Sequence, residues 1–251
     1  MTMRTLAILL ALFAGIAAGA ECPNCHGERI VGPAPVRLPC PVCDGSGEVP
    51  DKVAAEPAHR AAVVRVTAAD GNVRHSGSGV LVSVTGSTGV IVTNWHVIRD
   101  GKDGVVVKWP GGKITPAKVQ GTDTVWDLAA LAVTNPPAAP VPVAVQAPRV
   151  GDPLTIAGYG PDGKYLEQTG AVTLYASPGR GRGVQPQLVE MKAAARQGDS
   201  GGPMLDADGH VAGVLFGSAN GRTIGSCSTR VAAFLAGAEA VACSDGRCKT
   251  K

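Results

Sequence analysis

The chain has 251 residues, with 23 Lys and Arg against 20 Asp and Glu, for a formal net charge of +3. So small an excess argues against a nucleic-acid or membrane-surface partner. A hydrophobic share of 45% leaves ample material for a core and argues against disorder. The length holds one sizeable domain and little else, and 34 Gly with 19 Pro suit many short strands joined by turns.

From the N-terminus, residues 1–20 have the three parts of a secretory signal peptide. Arg4 supplies the positive start, Leu6 to Ile16 the short apolar core, and Ala18-Gly19-Ala20 the small-residue cleavage site. The apolar run is shorter than the roughly 20 residues of a membrane span. Glu21, rather than a small residue, precedes Cys22, which argues against a lipid anchor. The expectation is a protein exported to the periplasmic or extracellular space, with no membrane anchor after cleavage.

Residues 21–48 carry two C-x-x-C pairs, Cys22 with Cys25 and Cys40 with Cys43. Paired knuckles offer four thiolates to one tetrahedral zinc, which would be structural because no position stays open for water. The 14 residues between the pairs fall one short of the usual range of about 15–20. The second knuckle reads C-x-x-C-x-G-x-G and the first C-x-x-C-x-G, which resembles half of the zinc-binding region of DnaJ-type chaperones. The resemblance implies a small zinc-ribbon-like module able to dock a partner. Disulfides stay open as the alternative, since exported proteins meet oxidising conditions. A redox-active C-x-x-C would want a βαβ context, and the Gly/Pro-rich flanks offer none.

Residues 49–58 read as a polar, proline-bearing linker, and residues 59–241 as the main domain. Strands begin with Ala61-Ala62-Val63-Val64-Arg65-Val66 and an Asp70-Gly71 turn. Residues 91–98, IVTNWHVI, are an apolar strand running into His96. His26, His59, His75 and His210 lack such a strand. Asp127 heads the apolar run Leu128 to Val133, whereas its rival Asp123 sits in a turn. Residues 135–149 are too rich in proline for an interior strand and read as a connection between two halves. Then comes Gly198-Asp199-Ser200-Gly201-Gly202-Pro203. A serine in so glycine-rich a loop makes sense if its Oγ stands exposed while the Gly198 and Ser200 N–H groups converge on an anion. A serine hydroxyl needs a neutral imidazole to take its proton, and that imidazole needs a carboxylate to fix its tautomer.

These segments, together with Gly77-Ser78-Gly79, Val150-Gly151-Asp152-Pro153-Leu154 and residues 198–214, resemble the trypsin-like serine proteases in family order over roughly residues 60–235. The similarity is closest to the HtrA (Deg) branch. It implies an all-β fold of two antiparallel six-stranded barrels, chymotrypsin-like, with a C-terminal helix over residues 231–241. It implies His96 as general base, Asp127 as its orienter, Ser200 as nucleophile and Gly198 with Ser200 as oxyanion hole. No cofactor would enter the chemistry, and the substrate would be a protein or peptide. By the same resemblance Ala194 would sit at the floor of the specificity pocket, Phe216 and Gly217 on the strand that pairs with substrate, and Ser226 on the opposite wall. With no acidic floor, cleavage after a small or medium apolar residue is expected.

The chain departs from the branch in two ways. No PDZ-like domain follows the helix in this sequence, and Asp199 stands where Asn is usual. In zymogen-type proteases that aspartate pairs with a new amino terminus. Arg29-Ile30-Val31-Gly32 imitates such an activation site but lies 66 residues before His96, too far to serve as one. Whether Arg196 pairs with Asp199 instead stays open. In the tail, residues 242–251, Cys243 could close a loop with Cys248, or pair with Cys227. The rival readings are a peptide-binding or chaperone-like protein on a protease fold, and a thiol–disulfide enzyme.

Overall fold

The computed structural model describes residues 57–177 and 187–237, together with six short strands outside them. It falls into two units, residues 1–56 and 57–251. In the first, β1 (Ala20–Glu21) pairs antiparallel with β4 (Glu48–Val49), and β2 (Ile30–Val31) with β3 (Leu38–Pro39). The signal-like core, Cys22, Cys25, Cys40 and Cys43 lie outside the described residues.

The second unit holds two closed antiparallel barrels. The first contains β5 (Val63–Asp70), β6 (Val73–Thr85), β7 (Thr88–Thr93), β8 (Gly104–Lys108), β9 (Ile114–Asp123) and β10 (Leu128–Thr134), in the order β10-β7-β6-β5-β8-β9. The second contains β11 (Pro153–Tyr159), β12 (Tyr165–Ala176), β13 (Leu188–Met191), β14 (Pro203–Leu205), β15 (Val211–Ala219) and β16 (Arg222–Cys227), in the order β11-β12-β13-β16-β15-β14. Closure gives every strand of each barrel a neighbour on both sides along at least part of its length. A two-residue alternation builds the walls: on β5, Val64, Val66 and Ala68 are buried while Arg65 and Thr67 face outward. On β10, Leu128, Ala129 and Leu131 are all fully buried, which explains its unbroken apolar run.

One continuous buried cluster joins the barrels, running from Val63, Leu81 and Leu131 to Leu205, Val214 and Val231. The proline-rich connection is a strap across this seam. Val141 N–H donates to Leu81 C=O at 2.8 Å on the first barrel, and Ala144 N–H to Val211 C=O at 2.9 Å on the second. Val141, Ala144 and Ala147 bury their side chains beneath it.

A short helix, α1 (Trp95–Ile98), follows β7, and α2 (Ser228–Ala236) follows β16. The helix expected over residues 231–241 therefore starts three residues earlier and stops at Ala236. Gly237 ends it in the left-handed conformation, φ 68°, that glycine adopts without a Cβ penalty. Beyond it β17 (Ala242–Ser244) pairs with β18 (Arg247–Lys249), and the register sets Cys243 opposite Cys248. Cys227 is buried at the end of β16. Among the described residues, no helix is long and apolar enough to cross a membrane.

Candidate active site

Pairing of β7 with β10, Thr93 opposite Ala129, sets the end of one strand beside the start of the other. Asn94 and α1 leave the first end, and Asp127 enters the second. Asp127 has φ 52°, an uncommon backbone for any residue but glycine, although Asp tolerates it better than most. Hydrogen bonds hold it there. Its carbonyl accepts from Asn94 Nδ2 at 2.7 Å and from Trp95 N–H at 3.3 Å. Its Oδ1 accepts from His96 N–H at 2.8 Å, and Oδ2 lies 2.5 Å from His96 Nδ1. A carboxylate only accepts, so Nδ1 carries the proton and Nε2 presents its lone pair.

The turn before Asp127 is braced from two sides. Asp123 Oδ1 accepts from the N–H groups of Val125 at 3.0 Å and Trp126 at 3.1 Å, while its Oδ2 pairs with Arg230 of α2. The Arg230 guanidinium also lies 5.4 Å from the Trp126 ring centre. Asp123, the rival of Asp127 in the sequence, thus shapes the turn that carries it. Ser226 is fully buried, with Oγ donating to Trp126 C=O at 2.9 Å. β16 points it inward, where it ties the second barrel to the residue preceding Asp127.

The Ser200 loop is seated on Ser78 of β6. Ser78 N–H donates to Ser200 C=O at 2.7 Å, and its Oγ donates to Gly198 C=O and accepts from Tyr159 N–H, both at 2.8 Å. Thr93 Oγ1 donates to Ser78 C=O at 2.6 Å, linking this seat to the end of β7. Gly201 explains the glycines after the serine. Its φ is 86°, and a Cβ there would stand 2.3 Å from Ser78 O and 3.0 Å from Asn94 N. The residue next to Ser200 is therefore packed against the residue two before His96. Gly198 has φ 90°, and a Cβ there would press within 2.7 Å of Tyr159 O. Among the described residues, neither Gly198 N–H nor Ser200 N–H donates to a backbone or side-chain acceptor.

Asp199 is buried and its partner is Arg196. Arg196 Nη2 is 2.8 Å from Oδ1, and Nε and the backbone N–H reach Oδ2 at 3.1 and 2.7 Å. Nη2 also donates to the carbonyls of Gly158 and Lys164 at 3.2 and 3.3 Å. The chain supplies within its own loop the cation that a new amino terminus supplies in zymogen-type proteases.

Of the remaining candidates, Ala194 is exposed on a segment pinned by Thr223 Oγ1, which donates to Ala193 C=O at 2.9 Å. Phe216 and Gly217 are half-buried on β15, at a bulge where Leu215 opposes Gly225 and Gly217 opposes Ile224. β14 pairs with β15 only as far as Val214. Among the described residues, Phe216 to Ser218 thus have a strand on one edge only.

The model of the trypsin-like peptidase domain matches residues 77–214, more than half of the chain and a span containing His96, Asp127 and Ser200. The chain belongs to the trypsin-like peptidase domain family. A serine protease of Mycobacterium tuberculosis is 31% identical over 138 residues, covering 51% of this chain and 34% of the relative. A probable periplasmic DegP-like serine endoprotease of Bartonella henselae is 39% identical over 142 residues, covering 55% and 27%. The chain spans about a fifth to a third of the length of the curated relatives it matches. Among solved structures, the serine endoprotease from Yersinia pestis superposes with a TM-score of 0.62 at 25% identity, covering 72% of this chain and 63% of that one. A Mycobacterium tuberculosis protease in its active form gives 0.63 at 26% identity, covering 77% and 88%.

Removing one partner of a buried ion pair strands the other charge, at about 3 kcal/mol or more. Thermal melting of Arg196→Ala is expected to show that loss. The double variant Arg196→Ala/Asp199→Asn is expected to regain much of it, because no buried carboxylate then lacks a counter-ion. A double variant no more stable than the single one would show that Arg196 acts through other contacts.

Proposed function

We propose that this peptidase domain is a serine endopeptidase in which His96, Asp127 and Ser200 form the catalytic triad. The observation that carries the reading is the clamp of Asp127 on His96, with Gly201 packed against the same turn. Ser200 Oγ attacks the peptide carbonyl carbon as its proton passes to His96 Nε2. The carbonyl oxygen becomes an oxyanion facing the Gly198 and Ser200 N–H groups. The C–N bond then breaks, and the departing amine takes the proton from His96. Water, deprotonated by His96, attacks the acyl-enzyme and releases the acid. Asp127 holds the imidazolium that forms transiently. The one-sided edge of β15 at Phe216 to Ser218 supports docking of an extended peptide by β-addition. Beside it Ala194 would leave room for a small or medium apolar side chain.

Export belongs to the same proposal. It rests on the leader-like residues 1–20 and on relatives described as periplasmic. Fluorophosphonate labelling tests the chemistry. The folded wild type is expected to label at Ser200, with labelling lost in Ser200→Ala and His96→Ala and slowed about 10³- to 10⁴-fold in Asp127→Asn. A folded wild type that does not label would overturn the reading and favour a peptide-binding protein on a protease fold.

For residues 21–48 we propose one structural zinc held by Cys22, Cys25, Cys40 and Cys43, in a module that docks a partner. Four soft thiolates suit that ion. What supports it is the nesting of the short strands: β1 leads into the first knuckle and β2 leaves it, while β3 leads into the second and β4 leaves it. The β1–β4 and β2–β3 pairings set the start of each knuckle segment beside the end of the other. Elemental analysis of the purified chain is expected to find about one zinc, lost in Cys25→Ser/Cys43→Ser. Metal-free protein lacking these four thiols by titration would mean disulfides instead.

A further inference from the structure

A basic groove that none of His96, Asp127 and Ser200 lines runs over the outer face of β5 and β8 and meets the β11–β12 turn. One cavity of about 340 Å³ is lined by Arg60, Arg65 and Lys108 together with Tyr159 and Tyr165. A second, of about 260 Å³, shares Arg65 and Lys108 and adds Arg74, Thr67, Val106 and Ile114. No carboxylate lines either one. Glu167, near the first, is already engaged, its Oε1 accepting from Tyr165 OH and lying 2.8 Å from His59 Nε2.

The pairing of β5 with β8 sets Arg65 directly opposite Lys108. Like charges in register on adjacent strands repel each other. Neither has an ion pair or side-chain hydrogen bond among the described residues, and the same holds for Arg74. Instead the Arg65 guanidinium lies against the Gly163 backbone, Nη1 standing 2.5 Å from where a Cβ would be. Position 163 thus leaves room for that side chain to lie along the cavity wall. On the same outer surface Val106 is 37% and Ile114 62% exposed, so apolar and cationic side chains alternate along the groove.

We propose that this groove binds an extended acidic polypeptide segment, with Arg65 and Lys108 at its centre and Arg74 toward one end. The juxtaposition mildly disfavours the free fold, and an anion between the two cations relieves it. Two adjoining cavities sharing the central pair suit a chain bearing successive carboxylates better than one small anion. The choice of polypeptide rests on the peptidase reading, since such a groove would hold part of a protein substrate apart from the scissile bond.

The test measures binding rather than turnover, in the full chain carrying Ser200→Ala, so loss of catalysis and loss of the groove are separable. A fluorescein-labelled peptide alternating Glu and Val is expected to bind, with affinity falling as salt rises. A matched peptide alternating Gln and Val is expected not to. Adding Arg65→Gln/Lys108→Gln is expected to weaken binding about tenfold or more while leaving the melting temperature unchanged or raised. Adding Arg74→Gln instead is expected to weaken binding by a smaller factor. Equal binding of the two peptides would overturn the proposal, as would unchanged affinity in the double variant. A double variant that fails to fold would show that the pair serves the fold. Saturable binding of inorganic phosphate with no binding of the acidic peptide would replace the groove with a small-anion site.

Discussion

Asp127 sits in a left-handed backbone conformation, and the site depends on its being held there. Two donors from the end of β7, Asn94 Nδ2 and Trp95 N–H, take its carbonyl, and both carboxylate oxygens are spent on His96. The same residue is thus anchored through its main chain and orients through its side chain. A reversed hold would turn the carboxylate away from Nδ1 and leave the imidazole tautomer unfixed. That β7 and β10 pair directly is what makes the arrangement local in space, although His96 and Asp127 are 31 residues apart.

The second constraint is the seam between the barrels. Ser78 on the first barrel receives the Ser200 loop of the second through two hydrogen bonds and holds Tyr159 of β11 by a third, and Gly201 permits the close approach. Ser226 crosses in the other direction to Trp126. Arg196 and Asp199 stiffen the loop from within, so its shape draws on a counter-ion already present in the chain. The Ser200 loop and the turn that carries His96 are consequently positioned by one shared set of contacts, and the buried core that spans both barrels keeps that set together.

Much of this was legible in the sequence, because certain residue types advertise their surroundings. An apolar strand ending in His96, an aspartate heading another, and a serine among glycines each signal a local setting. Short apolar strands separated by turn residues signal an all-β domain, while the two barrels came from the resemblance to trypsin-like proteases. What escaped was set by long-range contact. Ser78 lies 120 residues from Gly198, and Arg230 lies 107 from Asp123, so no spacing announces either pair. Asn94 reads as a strand-end residue until the Asp127 carbonyl is seen above it. The helix boundary slipped because the apolar spacing continues past Gly237, whose backbone conformation ends the helix.

The central claim is that Asp127 holds the His96 proton on Nδ1. Proton magnetic resonance of the folded chain tests it most directly, since an imidazole N–H bonded to a carboxylate in a sheltered site resonates far downfield of the amides. The account predicts one such signal in the wild type, retained in Ser200→Ala and absent from both His96→Ala and Asp127→Ala. A folded wild type without that signal, or a signal that survives removal of Asp127, would contradict it.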